Sequence, residues 1–261
     1  MKVTQLFIYP IKSLGGIELT QSGVTQRGLQ YDRRYMLVDE HGQFLTQRTL
    51  HKLALFKLSM HNDGFVVQYK NQQLLVPFTM QGATQQVTVW DDTLEAVVAD
   101  EHYNQWFSKQ LNMPIKLVYM HQASVRPVNI KYANNNEQLS FADGYPVLVI
   151  SEASLNNLNS KLTKPIGMDR FRPNVVVNGL SAHQEDELGT FTLGSTLFKV
   201  AKPCGRCVVT TINQQTLQTS KEPLATLAKY RLAGDSVNFG ANTICLAEGK
   251  IQVGDHLIVG H

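Results

Sequence analysis

Cys204 and Cys207 bracket Gly205 and Arg206 in the stretch Ala201-Lys202-Pro203-Cys204-Gly205-Arg206-Cys207-Val208-Val209-Thr210-Thr211. A Pro/Gly turn between two apolar, β-branched runs would hold a thiolate out from a rigid scaffold. Structural zinc would need four ligands, usually two such pairs, and Cys245 is the one further cysteine. A thioredoxin-like dithiol would open a helix that lowers the thiol pKa, whereas Val208, Val209 and Ile212 read as a continuing strand. A single thiolate ligand to a soft metal, with Arg206 beside it, is the third chemistry. Two inert, partly buried cysteines are the plain structural alternative.

Other charged residues stand where strands should begin or end. Lys12 and Ser13 precede two glycines in Pro10-Ile11-Lys12-Ser13-Leu14-Gly15-Gly16, a loop that would bring an ammonium, a hydroxyl and backbone N–H groups to one anion. Arg33 stands at a strand entrance and Arg48 at a strand exit. The structural alternative there is an exposed ion pair of Asp32 with Arg33 or Arg34, which is the reading adopted for Arg34. Arg172 precedes Pro173, which should hold it extended. It is balanced between an anion contact and a salt bridge to an acid of residues 185–187.

The elements that position these residues are mostly strands. Residues 3–9 read as the first, and 35–38 as another, with Phe44-Leu45-Thr46 returning after a turn. Asn62-Asp63-Gly64 marks a hairpin before Phe65. From Asp100, a plausible N-cap, the spacing of Tyr103, Trp106, Phe107 and Gln110 predicts a helix that packs into a core and stops at Met113-Pro114. Residues 117–119 form a short strand. Residues 121–138, including Asn134-Asn135-Asn136, lack periodicity and read as a long loop near a domain boundary.

In the second half, Val147 to Ile150 reads as a buried strand, and Ser151 as the cap of a helix carrying Leu155, Leu158 and Leu162. The apolar run at 175–177 and residues 197–201 are further strands. A helix starts after Lys221-Glu222-Pro223, faces Leu224, Leu227 and Ala228 inward, and stops at Gly234. Residues 238–242 read as a turn, 243–246 as a strand that buries Cys245, and 251–259 as a hairpin arm of the same β unit.

Composition narrows the classes of function. The 261 residues are 43% hydrophobic and 17% charged, enough for one large core or two modest ones. A formal net charge of +3, with no run of Lys or Arg, does not make a nucleic-acid surface, although it leaves room for a local basic pocket. Three cysteines without framework spacing fit a reducing compartment. The apolar run before Pro10 is too short for a signal peptide, and no stretch approaches the ~20 apolar residues of a spanning helix. The expectation is a cytoplasmic protein without membrane association.

Five motifs, taken in order, carry a resemblance. Tyr9-Pro10-Ile11-Lys12-Ser13, Ser151-Glu152-Ala153-Ser154-Leu155, Arg170-Phe171-Arg172-Pro173-Asn174, Pro203-Cys204-Gly205-Arg206-Cys207 and Lys221-Glu222-Pro223-Leu224 resemble the MOSC family. The likeness is to the subgroup with a MOSC N-terminal β-barrel, which includes the mitochondrial amidoxime-reducing component and its bacterial relatives. It implies a mixed α/β, β-rich fold. Residues 1–120 would form the N-terminal β-barrel-type domain, and 121–261 the MOSC β-barrel with peripheral helices.

The resemblance also implies a molybdenum cofactor, a pterin dithiolene holding Mo, in a cleft between the two. Cys207 matches the protein thiolate ligand. Lys12, Ser13 and Arg33 match positions that hold phosphate and pterin, Arg172 and Arg206 match further cofactor contacts, and Asp143 and Asn242 fall where the metal pocket is lined. The implied chemistry is two-electron reduction of an N–O bond in hydroxylamines, amidoximes or N-hydroxylated bases, with oxygen leaving as water and Asp143 relaying protons. Some bacterial relatives carry a C-terminal iron–sulfur domain. Here no cysteine follows Cys245, so no iron–sulfur cluster is expected in this chain, and electrons would come from a separate reductase or ferredoxin-like partner. The rival expectation is a carrier of molybdenum cofactor or persulfide sulfur without turnover, as MOSC domains also end the molybdenum cofactor sulfurases. A β-rich binding protein with structural cysteines is the third.

Overall fold

The first strand is paired with residues that follow it by more than 160 positions. In the computed structural model, which describes residues 1–133 and 137–260, strand Lys2–Ile8 runs antiparallel to Val175–Asn178, with Leu6 opposite Val175. A register shift between Val3 and Gln5 interrupts the alternation of that strand and lets Val3, Leu6 and Ile8 all join a core with Val147, Val149, Val175 and Val177. The Asn134-Asn135-Asn136 run and His261 lie outside the described residues.

This pairing belongs to a nine-stranded sheet. Its path runs Leu257–Val259, Thr190–Leu193, Thr196–Gly205, Ser236–Ala247, Val147–Ser151, Val175–Asn178, Lys2–Ile8 and Ile17–Leu19, and Leu232–Ala233 adds to the Ser236–Ala247 strand. Val147–Ser151 and Val175–Asn178 pair in parallel. Parallel neighbours need a crossover, which here contains helix Glu152–Asn159, capped by the Ser151 hydroxyl accepting from Ser154 N–H. The crossover returns to the sheet through Arg170–Asn174. Because the first strand is antiparallel to Val175–Asn178, the loop after Ile8 leaves the sheet close to where that crossover enters.

Three smaller sheets complete the β-rich, mixed α/β fold. A four-stranded sheet orders Tyr35–Val38, Lys116–Tyr119, Asp92–Val98 and Thr84–Val89. Gly249–Gln252 pairs with Gln21–Thr25, which pairs with Gly28–Leu29, and Lys57–His61, Gly64–Tyr69 and Gln72–Pro77 form a meander. The expected hairpin at Asn62-Asp63-Gly64 joins the first two strands of that meander. Helix Glu101–Leu111 buries Phe107, with Tyr103 and Trp106 packed on the same core, and ends on Asn112 in the left-handed region. Among the described residues, no helix is long and apolar enough to cross a membrane.

Several local expectations are corrected. Val208–Thr211 is a single 3-10 turn instead of a strand, because the Thr210 and Thr211 hydroxyls donate back to the Cys207 and Val208 carbonyls. Cys204 and Gly205 lie in the strand Thr196–Gly205 and not on a turn. Residues 238–242 continue the strand Ser236–Ala247, whose irregular register against Thr196–Gly205 absorbs Gly240 at φ 79°. Phe44 makes only a bridge to Val38, as its segment also bonds Thr88. The helix Leu224–Arg231 stops before Gly234, which turns the chain from Leu232–Ala233 into the next strand. Residues 251–259 do not form one hairpin arm: Gly249–Gln252 pairs with Gln21–Thr25, and Leu257–Val259 with Thr190–Leu193.

Candidate functional site

Backbone hydrogen bonds between distant segments assemble the site. Tyr9 N–H donates to the Asp32 carboxylate, Arg33 N–H to the Tyr9 carbonyl, Tyr35 N–H to the Pro10 carbonyl and Lys12 N–H to the Tyr35 carbonyl. Phe141 N–H then donates to the Arg33 carbonyl, and the Lys12 ammonium to the Phe141 carbonyl at 2.7 Å. This lacing brings residues 9–13, 32–35 and 141–143 together. Asn174, 1% exposed, ties them to the large sheet: its side chain accepts from Arg33 Nη1 and Leu148 N–H and donates to the Phe7 carbonyl.

The result is a cleft of about 760 Å³. All eight residues singled out for the site line it: Lys12, Ser13, Arg33, Asp143, Arg172, Arg206, Cys207 and Asn242. Sequence reasoning left out Arg170, Asn174, Gln47 and Trp90, and noted Arg48 without placing it in the site. All five line the same cleft. Arg170 and Asn174 stood inside a quoted motif. Trp90, at the tip of a hairpin, gave no signal beyond its type.

The charge lining is lopsided. Lys12, Arg33, Arg48, Arg170, Arg172, Lys202 and Arg206 face only Asp91 and Asp143. Arg33 is neutralised by Asp32, whose side chain is fully buried 2.6 Å away, so the pair is not the exposed one of the structural alternative. Arg34 instead donates to the Met120 carbonyl. Lys12 lies 2.5 Å from Asp143. Partial desolvation in the cleft would raise the Asp143 pKa, but the Lys12 ammonium, hydrogen bonds from Lys12 and Trp90, and Arg48 hold this solvent-reached carboxyl well below the usual range.

Three guanidiniums of the cleft have no carboxylate within ion-pair distance among the described residues. Arg170 donates to the Thr210 carbonyl, Arg172 to the Leu14 carbonyl, and Arg206 to the Phe171 carbonyl and the Cys204 sulfur, while Arg206 Nε is buried without any partner. Burial pulls Arg172 down to about 10, and nearby Arg33 adds to that effect. Arg172 reaches no acid of residues 185–187; Asp186 is taken by Arg231. Nor is Arg172 extended: its φ is 54°, with the guanidinium stacked 4.2 Å from the centroid of the Tyr9 ring. A following proline by itself favours extended backbone, so the left-handed conformation of Arg172 runs against its local preference. Gly16 makes room for the stack, since a Cβ there would come 2.6 Å from the Tyr9 ring. Ser13 and Arg33 also have positive φ, so backbone strain concentrates around the cleft.

The loop from Lys12 to Gly16 is less available to an anion than its composition implied. The N–H groups of Lys12, Leu14 and Gly15 already bond the Tyr35, Ile11 and Phe56 carbonyls. Arg170, Arg172, Arg206 and Lys202 are the cleft cations that no carboxylate reaches within ion-pair distance among the described residues. Cys207 is half-buried at the start of the 3-10 turn, and all three cysteines are free thiols. Among the described residues, no three His, Cys, Asp or Glu side chains converge on a metal position. A metal at Cys207 would take its remaining ligands from a non-protein group. A half-buried thiol, unneutralised arginines and an orphaned Arg206 Nε around one cleft fit a polyanionic, sulfur-ligated metal cofactor.

Comparison with known proteins agrees with this chemistry. Residues 1–114 match the MOSC N-terminal beta barrel domain and residues 136–258 the MOSC domain. The chain belongs to the MOSC family. Among MOSC relatives, the mitochondrial amidoxime-reducing component 1 of Mus musculus is 32% identical over 97% of this chain and 80% of its own length. The protein of the same name from Homo sapiens is also 32% identical, over 97% of this chain and 81% of its own. A molybdenum cofactor sulfurase of Oryza sativa subsp. japonica is 31% identical over 90% of this chain but only 31% of the sulfurase. These likenesses associate the chain with molybdenum-cofactor-related function.

Proposed function

We propose that this MOSC protein is a molybdenum-cofactor-dependent oxidoreductase that reduces N-hydroxylated compounds with electrons from a separate donor protein. One observation carries the reading: the half-buried Cys207 thiol shares a cleft with three guanidiniums that, among the described residues, have no carboxylate within ion-pair distance. In this reading Cys207 is the thiolate ligand, and Arg170, Arg172 and Arg206 hold the cofactor's phosphate and pterin. Ser13, Arg33 and Asn242 line the remaining contacts, with Arg33 fixed by Asp32 and Asn174. Lys12 acts through Asp143. The bound cofactor would supply the two-electron chemistry.

The overall reaction is R–NHOH + 2 e⁻ + 2 H⁺ → R–NH₂ + H₂O, so the site must also deliver protons. Asp143 stays ionised at neutral pH, held by Lys12, Trp90 and Arg48. Its part is to accept hydrogen bonds from substrate and solvent; a proton stored on it at rest does not fit this environment. Residues 1–120 and 121–261 are read as the N-terminal barrel and MOSC units, with the cleft between them. Free thiols at all three cysteines suit the cytoplasm.

A second reading, a cofactor or persulfide carrier without turnover, is favoured by the likeness to the sulfurase. The test is molybdenum and pterin content of protein from a cofactor-competent host, wild type against Cys207→Ala, followed by reduction of N-hydroxylated substrates with added donors. About one Mo per chain, lost or electronically altered in the variant, with turnover in the wild type, is the expected result. Retained cofactor without turnover under any donor would favour the carrier, and no Mo in either protein would overturn both.

A further inference from the structure

Trp90 occupies a backbone position that suits glycine. It is the first residue of the two-residue loop joining Thr84–Val89 to Asp92–Val98, with Val89 and Asp92 as the closing pair, and its φ is 56°. A bulky aromatic persists in that region only where its surroundings over-determine it. Three contacts do so. The indole N–H donates to Asp143 Oδ1 at 3.1 Å, the Arg48 guanidinium stacks 4.2 Å from the ring centroid, and Phe44 packs at 4.8 Å.

These contacts divide the Asp143 carboxylate into two ends. Oδ1 is occupied by Lys12 Nζ and Trp90 Nε1, whereas among the described residues Oδ2 meets only Arg48 Nη2, at 3.8 Å, beyond hydrogen-bond distance. The Asp143 side chain is 63% exposed and that of Arg48 is 31% exposed, both on the cleft. An acceptor and a donor thus stand side by side with a gap between them.

We propose that Trp90 is a positioning residue that turns Asp143 Oδ2 and Arg48 into an acceptor–donor pair reading the head group of N-hydroxyamidines. An amidoxime, R–C(NH₂)=N–OH, carries an amino donor beside an oxime acceptor and engages both members. A simple alkyl hydroxylamine has no second nitrogen, so it can engage the pair only with the N–H and oxygen of the reacting N–O unit itself, and engages it less completely. A donor left without an acceptor, or the reverse, weakens recognition, so the pair selects between the two classes. This inference rests on the proposed reductase activity.

The experiment compares kcat/KM for an aryl amidoxime and an alkyl hydroxylamine in cofactor-loaded wild type, Trp90→Phe and Trp90→His. Phenylalanine keeps a ring against Arg48 and Phe44 but has no N–H. Histidine restores one, since its Cγ–Cδ2–Nε2 edge overlays the Cγ–Cδ1–Nε1 edge of indole. The expected result is a fall of about three- to tenfold in the amidoxime-to-hydroxylamine ratio for Trp90→Phe, carried by KM, with recovery in Trp90→His. Arg48→Met, which removes the donor directly, must move the ratio the same way even if Trp90→Phe does not fold. Trp106→Phe, in the core-packed helix, must leave it unchanged. Both substrates reduced, but with a ratio unaltered in Trp90→Phe or equally lowered in Trp90→Phe and Trp90→His, would overturn this inference alone. A wild type that reduces neither substrate would overturn the reductase reading and this inference with it.

Discussion

Arg33 and Arg172 both stack on the ring of Tyr9, their guanidinium carbons 4.3 and 4.2 Å from its centroid, but only Arg33 has a carboxylate beside it. The Tyr9 hydroxyl donates to the Pro173 carbonyl, and burial pushes its pKa up to about 12, so the phenol stays neutral between two cations. The unneutralised member, Arg172, is electrostatically expensive until an anion arrives. Arg172→Gln should therefore leave cofactor-free protein as stable as wild type or up to about 1 kcal/mol more so. The same substitution should reduce cofactor retention at least about tenfold, one good charge-assisted contact being worth more than 1.4 kcal/mol. Thermal unfolding of apo-protein and metal content after dialysis measure the two effects separately.

Lys12 is 6% exposed and Asp143 63% exposed, so the two ends of their ion pair are unequal. Asp143→Asn strands a buried ammonium and should cost about 1–3 kcal/mol, whereas Lys12→Met/Asp143→Asn should recover much of that loss. The pH dependence has a defined sign. A carboxyl depressed in the fold contributes stability above its unfolded pKa of roughly 3.9 and loses it as pH falls through the lower folded value. The stability gap between wild type and Asp143→Asn should stay constant from pH 7 to about 4 and close only below that.

Asp186 behaves in the opposite sense. Burial raises it to about 6, against its Arg231 hydrogen bond and charge, and its Oδ1 is buried without a partner. A carboxyl raised in the fold favours the native state while protonated, and that advantage is lost as pH rises through the folded value. Asp186→Asn should gain on wild type between about pH 4 and 7, by up to about 3 kcal/mol, in chemical denaturation at each pH.

The two thiols of the Cys-Gly-Arg-Cys stretch should separate cleanly. Cys204 accepts from Arg206 Nη1 at 3.0 Å, whereas among the described residues no hydrogen bond involves the Cys207 sulfur. Cys204→Ser should keep the metal, because a hydroxyl still accepts from Arg206, while Cys207→Ser should lose it. Metal analysis of both variants checks this, and equal loss from both would contradict the assignment.

Much of the fold was legible because burial imposes periodicity. The strands at Tyr35–Val38 and Val147–Ser151, the helix Glu101–Leu111 and the Ser151 cap all follow from local patterns. The cleft's membership was legible through motifs. What escaped depended on tertiary contacts: threonine back-bonding converts an apolar β-branched run into a 3-10 turn, and stacking on Tyr9 draws Arg172 into a left-handed conformation. Trp90 escaped because its importance arises from four segments meeting at Asp143, which no local window contains.

The pairing of Lys2–Ile8 with Val175–Asn178 also sets an order of events during synthesis. Strand Lys2–Ile8 can pair early with Ile17–Leu19 on one edge, but its other edge must wait for a partner more than 160 residues downstream, and Asn174 must arrive before Phe7, Arg33 and Leu148 can be locked to one another. Such a long wait favours slow, non-local assembly and transient exposure of an apolar strand. The cleft is therefore a late product of folding: its lining runs from Lys12 to Asn242, so any group that occupies it meets a complete receptacle only once the strand leading into Arg206 and the strand carrying Asn242 have packed beside the crossover.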